Sequence, residues 1–200
     1  MRIALDLEGV LSDIHTEFLR DYNQEHGTSF SREDIDGWVF GTVRKHFNEI
    51  HGLEPGDTRA FLRGHGDWEG FYAVSENMWR EDYERIPALF DSVPTIMSDE
   101  KFQVDIVTAR KRVRKQLEQW LEANGIEKGR HFNRLRIEKH KHELDYDLFI
   151  DDNPALHRNL SSTGKHGILL EQPWNRSEDS AGAPRASTVE KAAEVIQDLD

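Results

Sequence analysis

The chain has 200 residues, enough for one domain of ordinary size or one core carrying an inserted subdomain, with 36% hydrophobic and 10% aromatic residues. Its 38 acidic residues against 26 basic ones give a formal net charge of −12, a surface that repels nucleic-acid backbones and anionic lipid, so neither a nucleic-acid polymer nor a membrane is expected as a partner. No cysteine is present, which removes disulfide scaffolds, thiolate metal sites and cysteine nucleophiles.

The amino-terminal run MRIALDLEGVL is apolar but interrupted by Asp6 and Glu8, unlike a signal peptide. Nowhere do about 18 apolar residues run together, as a membrane-spanning helix would need. A soluble, cytoplasmic protein is expected.

In chain order, Arg2–Leu7 reads as a buried parallel strand, apolar on both faces. The stretch from Ile14 to Leu89 then breaks the strand rhythm. It is rich in aromatics and charges, with helical periodicity over His15–His26 and Val74–Arg85 and a loop composition over Gly64–Gly70. The sequence predicts a helical cap over 14–89, inserted into an α/β core formed by 1–13 and 90–200. Gln103–Thr108 is a second strand, and Lys111–Asn124 a helix closed by Gly125. Asp147–Ile150 and His166–Leu170 are further strands, and polar Asn175–Ala186 reads as an exposed loop. The last helix is Thr188–Leu199, with Val189, Ala192, Ala193, Ile196 and Leu199 on one face. Alternating strands and helices predict an α/β fold with a parallel sheet.

Chemistry-bearing residues stand where these strands stop. The first ends in Asp6-Leu7-Glu8-Gly9-Val10, the second in Thr108-Ala109-Arg110, and the third in Asp151-Asp152-Asn153-Pro154. Ligands of open α/β sheets bind at the carboxyl ends of the strands, so four carboxylates, a hydroxyl and a guanidinium are delivered to one rim. Gathered carboxylates repel one another and call for a cation that prefers oxygen, such as Mg²⁺. Gly9 permits a tight turn whose amides could meet phosphate oxygens. Lys141, in the segment before the third strand, can return a positive charge to that rim. Singly, each motif is a common strand end or turn; their order along the chain is the informative feature.

That order, Asp-x-Glu-Gly-Val-Leu, then Thr-Ala-Arg, then Lys, then Ile-Asp-Asp-x-Pro, resembles the haloacid dehalogenase (HAD) superfamily of phosphohydrolases. Asp34-Ile35-Asp36-Gly37-Trp38 and Gln172-Pro173-Trp174-Asn175-Arg176 resemble its 5′(3′)-deoxyribonucleotidase-like branch. The resemblance implies a Rossmann-like core and an aspartyl-phosphate formed on Asp6. It implies Glu8 as acid and base, with Thr108 and Lys141 holding the phosphoryl group beside Gly9, Ala109 and Arg110. Asp6, Glu8 (through its carbonyl), Asp151 and Asp152 would form the Mg²⁺ site. Most of the superfamily has Asp where this chain has Glu8, so impaired catalysis or a regulatory phosphate-binding role is the alternative. The implied substrate is a small phosphorylated molecule, a (deoxy)nucleoside monophosphate first and a sugar phosphate or other metabolite second. Among the cap aromatics, Trp38 and Phe40 are the best candidates for substrate contact. Trp68, Phe71, Tyr72 and Trp79 fit a role in the cap's own packing. No histidine pair converges as a zinc site would require, and Pro173-Trp174-Asn175 is expected to close the core beside the site.

Overall fold

In the computed structural model, residues 1–37, 41–52, 54 and 76–197 are described. Among the described residues, six parallel strands form one sheet: β1 (Arg2–Leu5), β2 (Gln103–Thr108), β3 (Leu135–Ile137), β4 (Leu148–Asp151), β5 (His166–Leu170) and β6 (Arg185–Ala186). Their order across the sheet is β3-β2-β1-β4-β5-β6. The chain builds outward from β1 through β2 to β3, then crosses to the other side of β1 and builds outward again. Strand order therefore reverses between β1 and β4, and such a switch point opens a crevice at the carboxyl edge.

Side-chain alternation explains why the strands read as continuous apolar runs. Ile3, Leu5, Val104, Ile106, Leu148, Ile150, Ile168 and Leu170 enter one large core, while Ala4, Val107 and Phe149 enter a second on the other face. Both faces are thus covered, as a parallel sheet requires. The large core is closed by Leu117, Trp120 and Leu121 of α3 (Arg114–Ala123) and by Val189, Ala192 and Ile196 of α5 (Val189–Gln197). The second is closed by Leu156 and Leu160 of α4 (Pro154–Ser161).

Helix α1 (Ile14–His26) begins at Asp13, whose carboxylate accepts from the Thr16 amide at 3.1 Å, and stops at Gly27 in the left-handed conformation. Its Ile14, Phe18, Leu19 and Tyr22 pack into the large core together with Val43 and Phe47 of α2 (Gly41–Ile50) and with Met78 and Trp79 of the helical residues 76–81. The chain leaves the sheet and returns to it at one place. Asp13 N donates to Pro87 O and Leu89 N to Leu11 O, both at 2.8 Å, and Ser12 bridges Ala88. Among the described residues, no helix is long and apolar enough to cross a membrane.

The sequence misses β3 and β6, of three and two residues. Arg134 and Arg136 interrupt the first, and the second lies within the segment expected to be an exposed loop. That expectation is corrected at both ends: Ala186 pairs with Leu170, and Asn175 is fully buried, its Nδ2 donating to Leu170 O and Asp152 O. Helix α3 starts at Arg114 rather than Lys111, because Arg112 takes a positive φ of 65° that breaks the helix there. Strand β4 extends through Asp151, and Thr188 Oγ1 accepts from the Lys191 amide at the start of α5. The loop expected at Gly64–Gly70 lies outside the described residues, as do Trp38, Phe40, Trp68, Phe71, Tyr72 and Leu199.

Candidate active site

Around the carboxyl ends of β1, β2 and β4 lies a cavity of about 310 Å³ whose walls include Asp6, Glu8, Thr108, Lys141, Asp151 and Asp152. The ladder sets the first of these in place: Asp6 follows β1 directly, and its amide still donates to Ile150 O of β4 at 3.0 Å. One Asp6 oxygen accepts from the Leu7 amide at 2.7 Å, while the other meets Lys141 Nζ at 2.7 Å. Lys141 also donates to Asp151 at 2.6 Å, so one buried ammonium bridges two carboxylates. The Asn153 amide donates to the other Asp151 oxygen at 2.9 Å.

One donor oxygen each from Asp6, Asp151 and Asp152 lies within 4.8 Å of the others. With all three ionised, a single ammonium leaves two negative charges uncompensated. Burial, and then the Asp151 carboxylate, push the Asp6 carboxyl well above its ordinary range, with Lys141 opposing. Asp152 is pushed up to about 7 by the same two influences, in the same order. Burial alone would lower Lys141, but Asp151 and Asp6 overcome it and hold the amine well above its usual range.

An all-oxygen donor set of this kind fits a hard divalent cation. Mg²⁺ with oxygens at about 2.0–2.1 Å would have neighbouring ligands roughly 3 Å apart and opposite ones roughly 4 Å apart, a modest contraction of the present cluster. Both Asp151 oxygens already accept protein hydrogen bonds. Asp152 uses one oxygen on Trp174 Nε1 at 2.8 Å, and among the described residues its other oxygen has no hydrogen-bond partner.

Glu8 is held apart from this cluster. Its carboxylate receives Arg110 Nε at 3.0 Å and Nη2 at 2.9 Å, and Trp79 Nε1 at 2.6 Å. These donors come from the residues after β2 and from the helical residues 76–81, 102 and 71 positions away in sequence. Trp79 is fully buried and lies edge-on to Trp120, so core packing holds the indole that meets Glu8. The Arg110 guanidinium, expected near phosphate, is committed to Glu8, while its amide donates to Thr108 Oγ1 at 3.0 Å. Ala109 lines the cavity between them.

At Gly9 the turn is as expected, but its use differs. The Gly9 amide donates to Ser12 O at 2.9 Å, inside the turn, rather than standing free for phosphate. What glycine supplies is room: at its φ of +74° a Cβ would stand 2.2 Å from Asp152 Oδ2 and 3.2 Å from Trp174. Sequence reasoning missed His15, which stacks on Trp174 with ring centroids 3.8 Å apart. Burial, followed by the charges of Arg32 and Arg110, lowers His15 to about 3. Its folded value lies below its unfolded one, so its contribution to stability is present above about pH 6.5 and is lost as pH falls from there toward 3. Proton uptake on unfolding, measured from the pH dependence of urea melts, is expected to fall by one between pH 4 and 6 in His15→Phe.

No protein-family model matches this sequence, and no curated protein does. Solved structures do match it. A conserved HAD-like protein of unknown function from Agrobacterium tumefaciens superposes with a TM-score of 0.63 at 13% identity, covering 99% of this chain and 98% of that one. A HAD phosphatase from Thermococcus onnurineus gives 0.58 at 12%, covering 98% and 97%. A Bacillus subtilis protein described as a HAD-hydrolase, bound to magnesium, gives 0.56 at 14%, covering 99% and 97%. The chain therefore has the α/β Rossmann-like fold of HAD hydrolases. At these identities the likeness extends to the fold alone, and the chemistry rests on the residues of the cavity.

Proposed function

We propose that this protein is a Mg²⁺-dependent phosphomonoesterase that forms an aspartyl-phosphate on Asp6. One observation carries the reading: three carboxylates of adjacent strand ends share a small volume with one buried lysine. Such a group is costly unless a divalent cation belongs there, and a cation so held can then receive phosphoryl oxygens. When bound, Mg²⁺ would neutralise charge on the phosphoryl oxygens, held by Asp6 and Asp152 with Asp151 beside it. Thr108 and Lys141 bind the phosphoryl group.

The chain's own steps follow from this placement. The Leu7 amide and Lys141 orient the Asp6 carboxylate for attack on phosphorus. The new oxygen–phosphorus bond forms as the ester bond breaks, and the leaving oxygen takes a proton from Glu8. Water then attacks the acyl phosphate, giving its proton back to Glu8 and regenerating Asp6. To serve the leaving oxygen, Glu8 relinquishes one of its contacts with Arg110 and Trp79 and takes up from solvent the proton that it then gives.

The substrate we propose is a (deoxy)nucleoside monophosphate, with residues 14–89 as the cap over the cavity. The pairing of residues 11–13 with 87–89 supports that boundary. The two segments that resemble the nucleotidase branch each reach the cavity, through Ile35 and Trp174. The test is phosphate release from nucleotide and sugar phosphates with Mg²⁺ and with EDTA. Nucleotides are expected to win, and a wide margin for sugar phosphates would remove the nucleotide assignment. Glu8→Asp is included as a second arm. An aspartate cannot span to Arg110 and Trp79, so turnover is expected to fall about a hundredfold. A gain would instead favour the regulatory alternative.

A further inference from the structure

We infer that Trp174 is the positioning residue of Asp152, and that His15 and Arg32 clamp Trp174 for that purpose. The inference rests on the metal site proposed above. Trp174 is buried, and its Nε1 donates to Asp152 Oδ2 at 2.8 Å. Its ring is contacted by two residues from the beginning of the inserted stretch. The imidazole of His15 stacks on it at 3.8 Å with an interplanar angle of 27°, and the guanidinium of Arg32 lies 5.3 Å from its centroid.

Arg32 is itself held. It pairs with Asp13 at 3.2 Å and donates to Gln172 Oε1, and Gln172 Nε2 donates to Gly9 O at 2.6 Å. The backbone of Asp152 is fixed separately, through Asn175 Nδ2 to Asp152 O. Gly9 completes the arrangement, since any side chain there would occupy the space of the Asp152 carboxylate. One carboxylate is thus packed against a bare backbone on one side and aimed by an indole N–H on the other.

Partners that orient a metal ligand typically change metal affinity by about 10- to 100-fold when removed. The experiment is titration calorimetry of Mg²⁺ alone into the full-length metal-free protein, for wild type, Asp152→Asn, Trp174→Phe and Arg32→Met. Trp174→Phe keeps a stacking ring but loses the donor, and its Mg²⁺ dissociation constant is expected to rise by about 10- to 100-fold. Arg32→Met, which leaves the indole intact, is expected to give a smaller rise in the same direction. The double variant should fall short of the sum, because both act through one ring. A merely structural role would lower the melting temperature equally at every Mg²⁺ concentration and leave the dissociation constant alone. If Asp152→Asn weakens binding while Trp174→Phe and Arg32→Met stay within about twofold of wild type, the inference is overturned. Should Asp152→Asn itself bind Mg²⁺ like wild type, the proposed metal site fails, and this inference with it. Should Trp174→Phe not fold, Arg32→Met decides the question alone.

Discussion

Asp6→Asn is expected to abolish phosphate release, lowering kcat by on the order of 10⁴-fold or more, as loss of an enzyme's nucleophile does. The same substitution is expected to make the metal-free protein more stable. The two outcomes have one cause. The Asp6 carboxylate lies between the Leu7 amide and Lys141, yet burial and the neighbouring Asp151 carboxylate make its charge unfavourable there. A neutral amide of equal size removes that repulsion while Lys141 keeps Asp151 as its partner. A gain of about 1 kcal/mol would raise the melting temperature by roughly 2–4 °C for a chain of this size. The measurement is thermal unfolding in EDTA beside turnover in Mg²⁺. An Asn variant that is less stable in EDTA would show that Asp6 serves the fold and not a reaction.

Lys141→Met has the opposite sign. It leaves Asp6, Asp151 and Asp152 facing one another without the ammonium that now reaches two of them. Removing one partner from a buried ion pair costs about 3–5 kcal/mol, because the charge left behind is uncompensated. Mg²⁺ is expected to restore part of this loss, since it supplies positive charge to the same oxygens. Turnover is expected to fall by on the order of 10²- to 10³-fold, as when a donor to the developing phosphoryl charge is lost. Urea melts with and without Mg²⁺, together with kcat, check both statements. Equal destabilisation at every Mg²⁺ concentration would place the lysine outside the metal's field.

Much of this architecture is legible in the residue order, and the reason is local. Strands β1, β2, β4 and β5 are buried on both faces, so their apolar runs stand out against the charged sequence around them. Residues at their carboxyl ends must face the switch-point crevice, which is why Asp6, Thr108 and Asp151 can be assigned to one rim from the residue order. Strands β3 and β6 escape notice because they are too short to show a period and exist only through pairing with β2 and β5.

The surroundings of the site are long-range and leave no such trace. Glu8 can be recognised as an acid beside Asp6, but nothing near it in sequence announces Arg110 and Trp79 as its partners. Gly9 invites a reading through its amide, whereas the adjoining Asp152 side chain is what excludes a Cβ. Trp174 did offer a signal, being a large aromatic in an otherwise polar stretch. Its contact with Asp152 depends on the 3-10 turn Pro173–Asn175 and on stacking that only the folded chain brings together.

The central claim is that Asp6 carries the phosphoryl group. Its most direct test is acid quenching of the full-length protein during turnover of a nucleoside monophosphate with Mg²⁺, followed by borohydride reduction and peptide mass spectrometry. An aspartyl-phosphate at position 6 is reduced to homoserine, and homoserine at that position alone, absent from Asp6→Asn, is the predicted result. Steady phosphate release with unmodified Asp6 at every quench time, or with the label on another carboxylate, would contradict the account.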